Sequence, residues 1–206
     1  MVLTPDPPPT SIEAILTAIL DDDPPTVEKL LKTDPRLATA LIDRPRLYQS
    51  KILHWIYVGD TALHLAAAGH RVELVRLLLD AGADPNSTSN HRQSGPLHYA
   101  ADGCISGPCW NTKSQVKTIQ CLLEAGCDAT LKNKPGSTPF HLAVQNTGHG
   151  GSGTQAARAA QRQIIREFLS YGLNPALKDS RGKSVFDSAR SSWVRNILSE
   201  NAEEPG

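Results

Sequence analysis

The sequence predicts an all-α solenoid, in which short helix pairs stack in a row and hairpin fingers join them. Three observations predict it. A short sequence motif, the first phrase, occurs four times. An apolar motif, the second phrase, follows three of these copies, and each second phrase has a glycine just after its apolar residues. Aromatic residues form only 5% of the 206 residues, which suits closely packed helices better than a β-sandwich or barrel.

The first phrase predicts the inner helix of each unit. It reads TALHLAA from Thr61, GPLHYAA from Gly95, TPFHLAV from Thr138 and SVFDSA from Ser184. Small alanines within the phrase allow short helices to approach one another closely, and its apolar residues recur at helical spacing. A stacked inner helix is therefore expected at each of these four positions.

The second phrase predicts the outer helix. It reads LLLDAGADPN from Leu77, LLEAGCDAT from Leu122 and FLSYGLNP from Phe168. A glycine just beyond a helix ends it in the left-handed conformation without a Cβ penalty. The glycines expected to do so are Gly82, Gly126 and Gly172. Each unit is thus a helix pair followed by a turn.

These phrases resemble the ankyrin repeat, whose Thr-Pro-Leu-His signature three copies of the first phrase match at three of four positions. The resemblance covers about residues 59–198. It implies an ankyrin-repeat α-solenoid in which the signature histidine braces neighbouring fingers by hydrogen bonds. Those histidines are His64, His98 and His141, and Asp187 takes the position in the last unit. Because stacked units place them about 8 to 10 Å apart, they cannot share one metal ion.

The resemblance also implies that a protein partner binds the concave face formed by the fingertips and inner helices. Carried over by position, the finger residues are His91, Arg92, Asn133, Lys134, Ser180 and Arg181. The inner-helix ends are Ala68, Asp102 and Gln145, and Trp110 in a nearby loop joins the set. Joint charge reversal of Arg92, Lys134 and Arg181 is expected to weaken binding of the partner without unfolding the protein.

A single helix pair cannot bury its own apolar face, so the stack needs a cap at each end. Residues 1–10 are expected to be a disordered leader, and 11–58 a degenerate capping repeat with helices over 11–20 and 26–32. Ankyrin repeats are predicted over 59–94, 95–136 and 137–182. A C-terminal capping repeat over 183–200 has helices predicted over 185–189 and 193–198, and a polar tail follows over 201–206.

Two units carry insertions between their inner and outer helices. The separations from the signature histidine to the glycine that ends the outer helix are 18, 28 and 31 residues. The extra residues fall at about 102–113 and 145–161, and the second insertion is expected to lead into a lengthened outer helix. Stacking would place the two loops side by side, either as a second functional surface or as tolerated insertions without a task.

The connection over 38–58 is longer than an ordinary finger and contains Tyr48, Trp55 and Tyr57. Its segment ILHWIYV has strand character. The aromatic residues could form a ridge at the rim of the binding face. Packing of the cap against the first full unit is favoured, because large aromatic side chains are usually buried.

Metal and phosphate sites are weakly indicated. Cys104 and Cys109, with His149 or His91 as a further ligand, match neither a CxxC nor an HxxxH spacing. Ordinary loop cysteines are favoured, and a reversible bond between the two cysteines comes slightly ahead of a metal. The glycine cluster over 148–153 lacks the Lys-Ser/Thr ending of a P-loop. Cys121 falls at an apolar position of the second outer helix and is expected in the core. No cofactor is predicted.

The function indicated is that of a non-catalytic scaffold or adaptor. Lys plus Arg and Asp plus Glu both number 21, so no global field favours nucleic acid or a membrane surface. No apolar run reaches the 18 residues of a membrane span, and the few cysteines suit a reducing cytoplasm. A monomer is expected. Two alternatives stay open: an inhibitory subunit that occludes a partner enzyme, and a metal or small-molecule site, enzymatic or not, on the paired insertions.

Overall fold

The computed structural model describes residues 11–47, 52, 54–102, 111–145 and 154–200. Its helices are α1 (Ser11–Leu20), α2 (Pro24–Thr33), α3 (Ala62–Ala68), α4 (Val72–Asp80), α5 (Pro96–Ala101), α6 (Thr112–Glu124), α7 (Pro139–Gln145), α8 (Gln155–Ser170), α9 (Val185–Ser188) and α10 (Ser192–Glu200). A 3-10 turn covers Pro35–Ala38. Strand β1 (Arg46–Leu47) pairs antiparallel with β2 (Trp55–Ile56). The predicted leader over 1–10 and tail over 201–206 lie outside the described residues.

The helices form two stacked rows, which confirms the predicted all-α solenoid. In the inner row α1, α3, α5, α7 and α9 pack each against the next, and in the outer row α2, α4, α6 and α8 do the same. One core of buried apolar side chains runs through the stack. Phe140 of α7 and Phe168 of α8 stack within it with ring centroids 5.2 Å apart. Each unit therefore buries its apolar face against its neighbours.

The three glycines end the outer helices as predicted. Gly82, Gly126 and Gly172 have φ angles of +90°, +84° and +75°. After α4, the amide of Ala83 donates to the carbonyl of Leu78 over 2.9 Å, so that the carbonyls of the last turn are satisfied. The left-handed residue sends the chain away from the outer helix and into the finger.

Helix α2 begins two residues before the predicted start. Pro24 and Pro25 occupy its first turn, where a missing N–H costs nothing because the first amides of a helix have no partner within it. Asp23 caps the helix by accepting a bond from the Thr26 amide at 3.2 Å. The prolines thus initiate this helix, whereas the prediction placed them before it.

The insertions are partly taken up by longer outer helices. Helix α4 has 9 residues, α6 has 13 and α8 has 16, which confirms the lengthened helix predicted for the third ankyrin unit. Cys121 on α6 is 7% exposed and belongs to the core, as predicted. The rest of the insertions lies outside the described residues, at 103–110 and 146–153. These segments include Cys104, Cys109, Trp110, His149 and the glycine cluster.

The connection before α3 contains the predicted strand, which confirms the strand character of ILHWIYV. Side chains alternate across a strand, and Ile56 is fully buried while Trp55 is 49% exposed. The favoured interpretation, that the aromatic residues pack the cap, is therefore wrong for Trp55. Tyr57 is half-buried, and Tyr48 lies outside the described residues.

Candidate partner-binding face

Three fingers connect the outer helix of one unit to the inner helix of the next, at residues 86–95, 129–138 and 175–184. The segment 54–57, which contains β2, lies beside the first finger. We call the surface formed by these four segments the finger face. Its shape depends on how each finger is held to the helix that follows it and to the finger beside it.

The signature histidines hold the fingers in place, as the resemblance implies. In α3, Nδ1 of His64 accepts a bond from the Thr61 amide at 3.1 Å. Its Nε2 lies 3.0 Å from the carbonyl oxygen of Ser94 in the first finger. His98 and His141 repeat the second bond, with Nε2 3.1 Å from a carbonyl of the following finger in each case. Nδ1 of His98 also accepts from a backbone amide, whereas Nδ1 of His141 pairs with the Thr138 hydroxyl at 2.7 Å. Each ring therefore ties an inner helix to the finger that follows it in the chain.

These rings are neutral near pH 7. Burial lowers the pKa of His64 and His141, and it lowers the pKa of His98 to about 4. Because Nδ1 accepts from a backbone amide in His64 and His98, the proton is assigned to Nε2, which donates to the carbonyl. Both ring nitrogens are occupied by structural bonds.

A second brace lies inside each finger, where an Asn or Asp side chain turns back on its own backbone. Asn90 accepts from the amides of Arg92 and Ser94, both at 3.1 Å. Asp179 occupies the same position in the third finger and accepts from two amides, at 2.8 and 2.9 Å. Bonds of this kind fix the shape of a turn.

Asn133 is the corresponding brace of the second finger, which corrects its assignment as a partner-binding residue. It is 6% exposed, and its side-chain oxygen accepts from the Ser137 amide at 2.9 Å. The prediction counted Asn133 with Lys134 at the fingertip. The turn directs the first side chain inward and leaves the second exposed.

Neighbouring fingers are joined tip to tip by backbone bonds. The Lys134 amide donates to the Arg92 carbonyl at 2.7 Å, and the Ser180 amide donates to the Gly136 carbonyl at 3.0 Å. Gly136 has φ +91°, and a Cβ there would lie 2.6 Å from Cβ of Ser180. The three fingers consequently form one continuous row.

The segment 54–57 is anchored to the stack by a buried carboxylate. Asp60 has no exposed surface, and it accepts from the Tyr57 amide at 2.6 Å. It also accepts from the Tyr99 hydroxyl of α5, at 2.8 and 2.9 Å from its two oxygens. Burial and the adjacent Asp60 charge raise the pKa of Tyr99, so its hydroxyl stays protonated and donates.

An aromatic and cationic cluster lies at the N-terminal end of the finger face. The rings of Tyr57 and His91 have centroids 4.9 Å apart. The Arg92 guanidinium lies 5.4 Å from the Tyr57 ring centroid and donates to its hydroxyl at 3.2 Å. His91 is exposed and Arg92 half-buried, with exposed Trp55 on the adjoining strand. Sequence reasoning listed the finger residues and the aromatic residues separately, and the structure joins them.

Three of the predicted site residues line one shallow depression. Arg92, Asp102 and Asn133 do so together with His54, Ser94, His98, Tyr99 and Leu142. Asp102 follows α5 directly, and its carboxylate lies 3.9 Å from Nε2 of His54. The end of one inner helix thus reaches the finger face.

The other predicted residues divide into two groups. Ser180 and Arg181 are exposed on the third finger, and Arg181 pairs with the buried Asp179 at 2.9 Å. Ala68 and Gln145 are half-buried at the last residues of α3 and α7, about 10 Å along the helix from the fingers at 1.5 Å per residue. Trp110 lies outside the described residues.

Two buried glutamines, which sequence reasoning missed, stabilise the inner helices from the outer row. Gln115 of α6 donates to the Ala100 carbonyl at 2.8 Å, and Gln161 of α8 donates to the Ala143 carbonyl at 2.9 Å. Each satisfies a carbonyl in the last turn of its inner helix, which has no partner within that helix. These bonds therefore hold the ends of the inner helices against the outer row.

The described part of the chain contains no group of three His, Cys, Asp or Glu side chains that could hold a metal ion. Within the same residues, no helix is both long and apolar enough to cross a membrane.

Comparison with known proteins identifies one family. The family model for the ankyrin repeat matches residues 58–90. The chain is 38% identical over 90 residues to the E3 ubiquitin-protein ligase KEG of Arabidopsis thaliana, a match that covers 42% of this chain and 5% of that protein. It is 28% identical over 126 residues to the human Ankyrin repeat and SOCS box protein 6, a match that covers 61% of this chain and 26% of that protein.

A third similar protein is a Transient receptor potential cation channel subfamily A member 1 homolog of Caenorhabditis elegans. It is 26% identical over 132 residues, which cover 64% of this chain and 9% of that protein. The chain therefore spans a small part of each of these three relatives, between 5% and 26% of their length.

Proposed function

Since the chain is an ankyrin-repeat protein, we propose that it is a non-catalytic scaffold or adaptor that holds a protein partner on the finger face. Ankyrin repeats are generally protein-interaction modules. What the particular relatives bind or do is not carried over, because the matched segments form at most 26% of the three relatives described above.

The observation that carries the proposal is the double fastening of the fingers. Each finger is bonded to an inner helix by a signature histidine, and adjacent fingertips are bonded through their backbones. A surface that is ordered before the partner arrives loses less conformational entropy on association. The fastening uses backbone groups and buried side chains, and it leaves exposed side chains at the tips for a partner.

The N-terminal cluster offers the strongest anchor on this surface. Trp, Tyr and Arg are the residues most enriched among those that dominate binding energy in protein interfaces. Trp55 is 49% exposed, and Arg92 is held against Tyr57 before any partner binds. A partner that covers Trp55 would bury a large apolar surface beside a positioned cation.

The histidines support the non-catalytic part of the proposal. Their rings are neutral and bonded at both nitrogens, so no free imidazole nitrogen of the signature row faces the fingers. A general base needs an accessible nitrogen near its substrate. We assign these rings to structure.

Capture from extracts of the native cell tests the proposal. The finger-face variant combines Trp55→Ala, His91→Ala and Lys134→Ala, three exposed positions. Arg181 is left intact because its loss would unpair buried Asp179. Proteins retained by the immobilised wild type are expected to fall at least about tenfold with this variant, since exposed anchors cost on the order of 1 kcal/mol or more each.

The control variant changes three exposed residues of the outer helices: Lys117→Ala, Arg162→Ala and Arg166→Ala. It is expected to capture the same proteins as the wild type. Circular dichroism and thermal unfolding establish that both variants are folded. Equal capture by the finger-face variant and the wild type would refute the assignment of the finger face, and loss only with the control would move the site to the outer helices.

A further inference from the structure

From the distribution of charge on the fingers, we infer that the partner segment seated along the second and third fingers is an extended, acidic stretch of polypeptide. The inference rests on the proposed function and adds to it the chemistry of the bound segment. It concerns the second and third fingers, which lie beyond the aromatic cluster at Tyr57.

Charge is separated within a chain whose formal net charge is zero. The thirty residues of the three fingers contain six Lys or Arg and one Asp. The first finger has one of these cations, the second has two and the third has three. They are Arg92, Lys132, Lys134, Lys178, Arg181 and Lys183. The number of cations therefore increases from the N-terminal to the C-terminal end of the row.

The four lysines of this set are exposed. Among the residues that the structure describes, no carboxylate lies within 4.0 Å of any of their ammonium groups, which is the distance that defines an ion pair. Four exposed cations on two adjacent fingers, without an ion-pair partner in the described part of the chain, create a local positive field.

The two carboxylates on and just after the third finger do not cancel that field. Asp179 is 2% exposed, and its oxygens are used by the finger amides and by Arg181. Asp187 is exposed at the start of α9. Its pKa is lowered by bonds from Ser184 and, to a smaller extent, by Lys183 and Lys178. One exposed carboxylate beside two lysines leaves an excess of positive charge.

The row has the geometry of a track for an extended chain. Tip-to-tip backbone bonds hold the second finger beside the first and the third beside the second. Stacked units repeat about every 8 to 10 Å, and an extended polypeptide advances about 3.3 Å per residue. About three residues of a bound segment would pass each finger, so about nine residues would span the row.

Polypeptide is favoured over single-stranded nucleic acid as the occupant. Proteins that bind single strands combine basic grooves with aromatic side chains on which successive bases stack. The second and third fingers contain no aromatic residue, and the aromatic cluster lies at the end of the row where the cations are fewest. Nucleic acid is kept as an outcome of the test.

The test measures binding of defined probes to the full chain by fluorescence anisotropy. The acidic probe is a labelled twelve-residue peptide of alternating Glu and Ser, and the neutral probe has Gln in place of each Glu. A labelled twelve-nucleotide oligothymidylate is the third probe. The finger-lysine variant combines Lys132→Gln, Lys134→Gln, Lys178→Gln and Lys183→Gln. The matched control, with the same change of charge, combines Lys113→Gln, Lys117→Gln, Arg162→Gln and Arg166→Gln on the outer helices.

We expect the acidic peptide to bind the wild type and the control alike, and the finger-lysine variant about tenfold or more weakly, because each exposed pair contributes a modest share. The neutral peptide should bind at least about tenfold more weakly than the acidic one. Raising NaCl from about 50 to about 300 mM should weaken the acidic peptide, since exposed charges are screened.

Three results would overturn the inference. The first is equal affinity of the wild type for the acidic and neutral peptides, including no detectable binding of either. The second is equal affinity of the acidic peptide for the finger-lysine variant and the control. The third is tighter binding of the oligonucleotide than of the acidic peptide, with loss of oligonucleotide binding in the finger-lysine variant. If any of these occurs while the Trp55, His91 and Lys134 variant still loses its captured partner, the acidic chemistry fails and the proposed function stands. If that capture is unaffected, the proposed function itself fails.

Discussion

Replacing Tyr99 by phenylalanine removes a single hydroxyl group from the buried cluster that anchors segment 54–57. Asp60 has no exposed surface, and its two oxygens share one amide donor from Tyr57 and the hydroxyl of Tyr99. Phenylalanine keeps the ring, so the contacts with His54 and His64, at 4.7 and 5.0 Å between centroids, are retained. The variant therefore isolates the loss of a hydrogen bond to a buried charge.

The expected loss is about 2 kcal/mol in the free energy of unfolding. Hydrogen bonds to charged groups contribute about 1.5 to 3 kcal/mol, and an acceptor left unsatisfied in the interior costs a similar amount. Urea unfolding followed by circular dichroism measures it, with a lower midpoint and an unchanged slope as the expected result. Tyr171→Phe is the matched control, because Tyr171 is 41% exposed, and it should change the free energy by less than about 0.5 kcal/mol.

The reasoning would be refuted if Tyr99→Phe and Tyr171→Phe unfolded with the same free energy as the wild type. The Asp60 carboxylate would then be satisfied without the Tyr99 hydroxyl. A reduced slope instead of a lower midpoint would indicate that the stack no longer unfolds as one unit. In that case the loss would have to be assigned to the N-terminal part alone.

Further predictions concern the finger row. Gly136→Ala should destabilise more than Gly82→Ala in thermal unfolding. Both have positive φ, which costs about 1 to 2 kcal/mol, but only the first Cβ would meet a neighbouring finger, at 2.6 Å. Equal losses would contradict the tip-to-tip contact. Asn133→Ala should cost about 1 kcal/mol while leaving partner capture intact, and lost capture without lost stability would restore it as a binding residue. Burial lowers the pKa of folded His98 to about 4, below the ordinary value of about 6.5 for histidine. Its stability contribution is therefore complete above about pH 6.5 and is lost as pH falls towards 4. In His98→Gln the urea midpoint should fall less between pH 7 and 5 than it does in the wild type. An unchanged pH profile would contradict this role of His98.

The helices were predictable because the signals that set them are local. The glycines at 82, 126 and 172 act through their own backbone, and the inner-helix phrases contain their own caps. The start of α2 was misplaced because a proline can either end a helix or begin one, and only the capping bond from Asp23 decides between them.

The internal braces were missed although the sequence contains a signal for them. Asn90, Asn133 and Asp179 each stand eight residues before the signature position, at His98, His141 and Asp187. A polar residue at a constant distance from a structural histidine indicates a role in the turn. The buried glutamines show the same regularity, because each stands eleven residues before the glycine that ends its helix.

The N-terminal cluster could not be predicted from the sequence. Tyr57 and Arg92 are 35 residues apart, and Asp60 and Tyr99 are 39 apart. The connection before α3 does not repeat, so no periodicity fixes its register against the fingers. Which face of β2 carries Trp55 depends on the pairing with β1, since a shift of one residue would exchange buried and exposed side chains.

The footprint of the captured partner on this chain tests the central claim most directly. Hydrogen exchange of the chain with and without that partner reports which amides become protected. Binding on the finger face predicts added protection in residues 54–57, 86–95, 129–138 and 175–184, with little change in α4, α6 and α8. Protection confined to those outer helices, with the fingers unchanged, would contradict the claim.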